Sequence, residues 1–190
     1  MKNPFAEKIL FLRVKNKDHQ AFGEFYDLYI DKIYRFIYFK VNSVEDAQDL
    51  SAEVFLKLWQ YIYEDKKIDN LNAFVYIVAR NVVIDFYRQK ARREENEESV
   101  AENHINLIDQ QSDLLKEKIK DAELSEVLLE LKNLKDEYRE VLILYYLDEL
   151  SIKEIAKILG KTPGACRVLL HRALNSLREA IDKKNQATYV

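Results

Sequence analysis

Three Gly and two Pro in 190 residues leave few positions for tight turns, which argues against a turn-rich β architecture and points to a nearly all-helical chain of one or two domains. A single Cys rules out a disulfide within the chain and fits a reducing compartment, and no stretch approaches the roughly 20 apolar residues of a membrane span. The net charge of −3 looks unlike a nucleic-acid binder, but it is uneven: residues 1–93 hold 16 basic and 13 acidic side chains, residues 94–123 hold 3 and 10, and residues 124–190 hold 11 and 10.

The first residues, MKNPFAEKILFLRVKNKD, have neither a long apolar run nor a cleavage site, so no signal peptide is expected. From His19 to Val41 apolar and aromatic residues recur every three or four positions, which predicts a long helix. Ser43 with Asp46 resembles a capping start for a second helix reaching Tyr63, whose inner stripe is Leu50, Val54, Leu58 and Ile62. Residues 64–70, EDKKIDN, form a polar loop. A third helix starts at Asn72 and ends in basic residues, where Arg80, Arg88, Lys90, Arg92 and Arg93 oppose only Asp85. Cations there also suit the helix dipole, so the cluster has a purely structural explanation beside a functional one. All nine Phe and the lone Trp precede residue 94, a compositional break that supports a domain boundary. Most of these aromatics are expected in the core. Near Tyr76, Phe86 and Tyr87 they interleave with basic residues, and some there are placed to stack on unpaired bases.

Residues 94–123 read as a flexible acidic tether with too little apolar surface to offset the entropy of ordering. Leu124, Val127, Leu128, Leu131 and Leu134 begin a helix of a second domain. The next, DEYREVLILYYLDEL, is expected to bury Val141, Leu142, Leu144, Tyr145 and Leu147. Ser151 and Glu154 then form a capping box, and Ile152, Ile155, Ala156 and Leu159 line one helical face. Gly160 suits the residue past the helix end, where positive φ costs least, and Thr162 with Pro163 starts another helix. Cys166, Leu170, Ala173 and Leu177 fall on one side of that last helix, while Arg167, Val168, His171, Arg172, Asn175 and Arg178 spread over the other. This is a helix-turn-helix whose polar face has the size and chemistry to enter a major groove. The tail DKKNQATYV is expected to fray.

Residues 1–93, 94–123 and 124–190 are thus read as a helical bundle, an acidic linker and a helix-turn-helix domain, an all-α chain with two small domains. No catalytic set, metal-ligand pair or Gly-rich phosphate loop stands out, so neither enzymatic activity nor a cofactor is expected.

Three stretches, in order, resemble bacterial sigma factors of the extracytoplasmic-function (ECF) type. SVEDAQDLSAEVFLKLW is similar to the region 2.2 pattern EDAEDLxQEVFLRLW. NAFVYIVARNVVIDFYRQK is similar to the region 2.3–2.4 pattern AWLYxIARNxxIDxLR. LKDEYREVLILYYLDELSIKEIAKILGKTPGACRVLLHRA is similar to region 4, with its common pattern SxxEIAxxLGxSxGTVKSRLHRAR. A helix-turn-helix alone is widespread; three matches in order are specific.

The resemblance implies a cytoplasmic, non-enzymatic initiation factor. It implies that Asp46, Asp49, Leu50, Glu53 and Phe55 lie on or beside a contact with the β′ clamp helices of core RNA polymerase, and that the β flap is a second contact. The loop 64–70 with Phe74, Arg80, Asn81, Asp85 and Arg88 would read the non-template strand of the minus-ten element, and a base would flip into a pocket there. Asn81 suits bidentate contact with a base edge. Phe74 stands where many members carry Trp, and both a stacking wedge and a core residue remain open for it. Thr162, Arg167, Val168, His171 and Arg172 would read the minus-thirty-five duplex. Val168, Leu169 and Leu174 replace the common Ser, Arg and Arg, which implies weak binding by this domain alone and a shallow salt dependence, at about −0.9 in log K against log salt per phosphate. The acidic tether fits a linker that passes through the RNA-exit path. Regulation by an anti-sigma factor is usual in the family. Two rival readings share these motifs: a helix-turn-helix repressor or activator acting without polymerase, and a helical interaction protein that binds no DNA.

Overall fold

Short polar side chains decide where several of the helices begin. In the computed structural model, which describes residues 4–41, 43–96 and 122–188, Asp18 caps α2 (His19–Tyr38), its Oδ1 accepting from the Ala21 N–H at 3.0 Å. That bond, and the Arg13 guanidinium at 2.9 Å, hold the Asp18 carboxyl below the usual carboxylate range. Asn70 does the same for α4 (Leu71–Asn96), accepting from the Ala73 N–H at 2.9 Å. Each cap satisfies a donor that a helix leaves orphaned in its first turn. Before and between these stand α1 (Pro4–Lys15) and α3 (Val44–Tyr63).

The chain divides into two compact units, Met1–Val41 with Glu45–Glu98, and Asn42–Val44 with Ser99–Val190. Every described element is helical. In the first unit Phe25, Tyr29, Ile33 and Phe36 of α2, Leu50, Val54 and Leu58 of α3, and Val75, Tyr76 and Val82 of α4 are all buried. Full burial of each such side chain is worth about 1.5–3 kcal/mol. Phe25 stacks on Tyr29 with centroids 4.4 Å apart, and Phe36 meets Tyr76 edge-on at 5.6 Å. The Tyr29 hydroxyl lies 2.8 Å from Asn72 Oδ1 and 3.1 Å from Glu7 Oε1, so one buried phenol ties α2 to α4 and α1.

The helix α1 has no counterpart among the expected elements. Val14 is buried while Phe5, Ile9 and Leu12 are exposed, so apolar residues surround its axis and no stripe stands out in sequence. Elsewhere α2 ends at Tyr38 rather than Val41, and α4 runs to Asn96, past the boundary expected at 93. Apart from its two ends, the acidic tether lies outside the described residues.

In the second unit α5 (Ala122–Asn133) and α6 (Asp136–Leu142) precede α7 (Ile152–Leu159) and α8 (Pro163–Thr188). A π-helical turn, Ile143–Leu147, follows α6 where one uninterrupted helix was expected. The Asp148 N–H reaches back five residues to the Ile143 carbonyl at 3.0 Å. This wider turn rotates the following side chains, so Tyr145 is 37 % and Tyr146 53 % exposed, and Leu147 is only half-buried. Tyr145 and Leu147 therefore do not join the core as expected, whereas Val141, Leu142 and Leu144 do. The tail does not fray at Asp182: α8 continues to Thr188.

Candidate nucleic-acid interface

A cleft of about 370 Å³ opens in the first unit between α3, the loop 64–70 and α4. Asn81, Asp85 and Arg88 line it, one and two helical turns apart on α4. Val78 and Ile84 supply apolar wall. From the other side come Lys57, Gln60 and Tyr61 of α3 and Lys66 of the loop. The loop is held in place by Ile68 and Leu71, which are buried, and by Lys15 Nζ, which donates to the Ile68 carbonyl. Lys17 Nζ pairs with Asp65 at 2.7 Å, and Asp65 takes a φ of 53° at the bend.

Polar groups in the cleft are engaged but lightly held. Arg88 Nη1 lies 3.4 Å from Asp85 Oδ1, with side chains 70 % and 48 % exposed, a pair worth under about 1 kcal/mol. Lys66 pairs with Glu64 at 2.7 Å and sits 4.3 Å from the Tyr61 ring, which holds Glu64 below and Lys66 above their ordinary pKa values. The cleft thus joins three cations, two amides, one carboxylate and an aromatic face. Such a set is suited to an anionic strand whose bases are unpaired. Phe74 is half-buried and meets Tyr61 edge-on at 5.4 Å, so it supports the ring that lines the cleft. Arg80 is half-buried and lies outside the lining. Lys66 belongs to the loop 64–70 expected there, whereas Lys57, Gln60 and Tyr61 were not singled out in sequence; they come from the end of α3 that faces α4 across the cleft. Of the aromatics near the basic cluster, Tyr76 is fully buried, while Tyr87 is 41 % exposed and its hydroxyl donates to the Lys40 carbonyl at 2.5 Å.

Of the residues expected at a polymerase contact, Asp49 is exposed, and Asp46 and Glu53 are half-buried. Leu50 and Phe55 are 6 % and 4 % exposed and pack inward, Phe55 edge-on to Tyr26 at 4.7 Å, so they position that face from beneath. Leu56, 72 % exposed, stands on the row of Asp49, Glu53 and Gln60. It was missed because it falls off the buried stripe and matches no charge pattern.

In the second unit the capping box is complete: the Glu154 N–H donates to Ser151 Oγ at 3.3 Å, and the Ser151 N–H donates to Glu154 Oε2 at 3.0 Å. Gly160 has φ 63° and ψ 33°, the left-handed conformation that ends α7. The Ala165 N–H donates to Thr162 Oγ1 at 3.2 Å, which starts α8. Cys166, Ala173 and Leu177 are buried, and burial pushes the Cys166 thiol up. Opposite them Thr162, Arg167, Val168, His171 and Arg172 are all exposed. Among the described residues neither Arg167 nor Arg172 has an ion-pair partner. Asn175 Nδ2 lies 3.4 Å from His171 Nδ1, which leaves the far ring nitrogen facing outward. The arrangement is a helix-turn-helix presenting two unengaged guanidiniums beside an exposed helix N-terminus, both of which favour phosphate.

Among the described residues no cluster of three or more His, Cys, Asp or Glu is placed to hold a metal, and no helix is long and apolar enough to cross a membrane.

Comparison with known proteins covers both units. Sigma-70 region 2 matches residues 25–93, and sigma-70 region 4 matches residues 124–177. Over 174 residues the chain is 30% identical to the ECF RNA polymerase sigma factor SigW of Bacillus subtilis (strain 168), a match covering 89% of this chain and 93% of that one. It is 30% identical over 158 residues to the ECF RNA polymerase sigma factor SigM of the same strain, covering 82% and 91%. In fold it resembles the sigma factor RpoE seen with the anti-sigma factor NepR from Bartonella quintana, with a TM-score of 0.66 at 21% identity, covering 86% of this chain and 98% of that one. CnrH, seen with the cytosolic domain of CnrY, gives 0.65 at 21% identity, covering 94% and 98%. The family is not in general one of enzymes. With both regions matched in order, the chain belongs to the extracytoplasmic-function sigma factors, which direct RNA polymerase to promoters.

Proposed function

We propose that residues 1–93 bind core RNA polymerase and the minus-ten element, that residues 124–190 bind the minus-thirty-five element, and that residues 94–123 are the acidic connection between them. The cleft carries this reading. It gathers Asn81, Asp85 and Arg88 with Tyr61 and Lys66, a set suited to a single strand, whereas a duplex would need an exposed recognition element. In it Asn81 makes the base-edge contact, Tyr61, backed by Phe74, gives the stacking wall, and Lys57, Lys66 and Arg88 hold phosphates. Arg80 supports the cluster from beside it.

Asp46, Asp49 and Glu53, with Leu56 among them, form the face that meets the β′ clamp helices, Leu50 and Phe55 fixing it from the core. The second unit contacts the β flap and places Thr162, Arg167, Val168, His171 and Arg172 against duplex DNA. The protein acts in the cytoplasm, without catalysing a reaction itself. An anti-sigma factor is its regulatory partner, in line with the fold relative from Bartonella quintana, which is seen in complex with one.

Run-off transcription tests this reading. Core polymerase, the protein and a pool of candidate promoters should give start-site-specific transcript that is absent without the protein. No transcript, together with failure to co-purify with core polymerase, would overturn it.

A further inference from the structure

Val168 is 52 % exposed in the second turn of α8, on a face otherwise made of Arg167, His171 and Arg172. Elsewhere on that helix Cys166 and Ala173 are fully buried and Leu169, Leu170 and Leu174 half-buried. After Pro163 the other exposed apolar side chain in its first two turns is the single methyl of Ala165, so Val168 is the larger apolar group there. A valine also lowers helix propensity, so local helix stability does not account for it. Its side chain has no donor or acceptor and can read no nitrogen or oxygen on a base edge. The apolar feature that a major groove offers is the C5-methyl of thymine. The β-branch leaves essentially one χ1 rotamer in a helix, so both methyls are presented rigidly and little freedom is lost on contact. The exposed Arg172 guanidinium can anchor on phosphate while Arg167 reaches a neighbouring base edge, and together they hold the helix in the groove and bring this apolar spot to the base edges.

We propose that Val168 reads a thymine methyl group in the minus-thirty-five duplex and so sets the sequence preference of this chain at one base pair. The inference rests on the reading that α8 enters the major groove of that element.

The test uses holoenzyme assembled from core polymerase and the full chain, on a promoter selected by run-off transcription. Each thymine of its minus-thirty-five element is replaced in turn by deoxyuridine, which removes the methyl and leaves every hydrogen-bonding group in place. One position should bind about fourfold more weakly, the effect of about one buried methyl. Val168→Ala should bind thymine and deoxyuridine equally at that position, and since Val168 is exposed the variant folds, as its circular dichroism will show. A selected element without thymine, an indifferent scan, or a deoxyuridine effect that persists in Val168→Ala would each overturn the inference. If the unmodified promoter gives no transcript that depends on this protein, the sigma-factor reading fails first and the inference falls with it.

Discussion

In the first unit no single element carries the candidate nucleic-acid cleft, whereas in the second one helix carries the candidate groove-facing side chains. Lys57, Gln60 and Tyr61 come from α3, Lys66 from a loop, and Asn81, Asp85 and Arg88 from α4. Arg167, Val168, His171 and Arg172 all belong to α8. The composite site depends on an aromatic core that sets the spacing of its walls. The single-helix site depends on caps and a left-handed glycine that aim one helix. Packing should therefore dominate the energetics of the first, and local backbone chemistry those of the second.

The largest expected effect tests the first half of that contrast. Phe25→Ala removes a fully buried ring that touches Phe11, Tyr29 and Phe55, and should cost about 3–5 kcal/mol. Trp59, the one Trp of the chain, packs on Phe22 at 4.7 Å, so its fluorescence in urea follows this unit. An unshifted Trp59 transition would show that the ring is not integral to the core. Next come the two sites themselves. Asn81→Ala should cost about 1–3 kcal/mol in promoter opening, measured by permanganate reactivity of unpaired thymines, without changing the urea midpoint. Arg167→Ala should cost about 1–3 kcal/mol of promoter affinity and relax the preference at one minus-thirty-five position. A loss uniform across sequences would make Arg167 a phosphate contact instead.

Smaller effects sharpen the second half. Ser151→Ala removes the capping box of α7 and should cost about 1 kcal/mol. Helical circular dichroism should register that loss while the Trp59 transition stays in place; a shift of both would mean that the units unfold as one. A further effect appears only at high pH and concerns Tyr38, whose hydroxyl is pushed up to about 12 by burial and, to a lesser degree, by neighbouring Tyr34. Its ordinary value is about 10. The folded state therefore keeps a proton that the unfolded state releases, so this contribution is intact below pH ~10 and is lost as pH rises towards ~12. Urea midpoints measured across that window should fall with a shallower slope in Tyr38→Phe. Identical slopes would remove the tyrosine from the account.

Much of this protein was written locally. The Ser151 box, Gly160, Thr162 and Pro163 each act through backbone groups within a few residues, so the helix-turn-helix and its outward side chains could be read directly. The stripe of Leu50, Val54, Leu58 and Ile62 likewise declared its buried face by period alone. Other features depended on what lay across from a residue. The π turn at Ile143–Leu147 interrupts an apolar run whose spacing fits an uninterrupted α-helix, so periodicity could not anticipate it. The helix α1 lacks a one-sided pattern because only part of its apolar surface meets α2. Asn81 and Arg88 were legible as polar residues one helical turn or two apart, but their partners Lys57, Tyr61 and Lys66 lie more than a dozen residues away in sequence. Only the packing of α3 and a pinned loop against α4 made them one site, because a cleft is a relation between elements and no element encodes it alone.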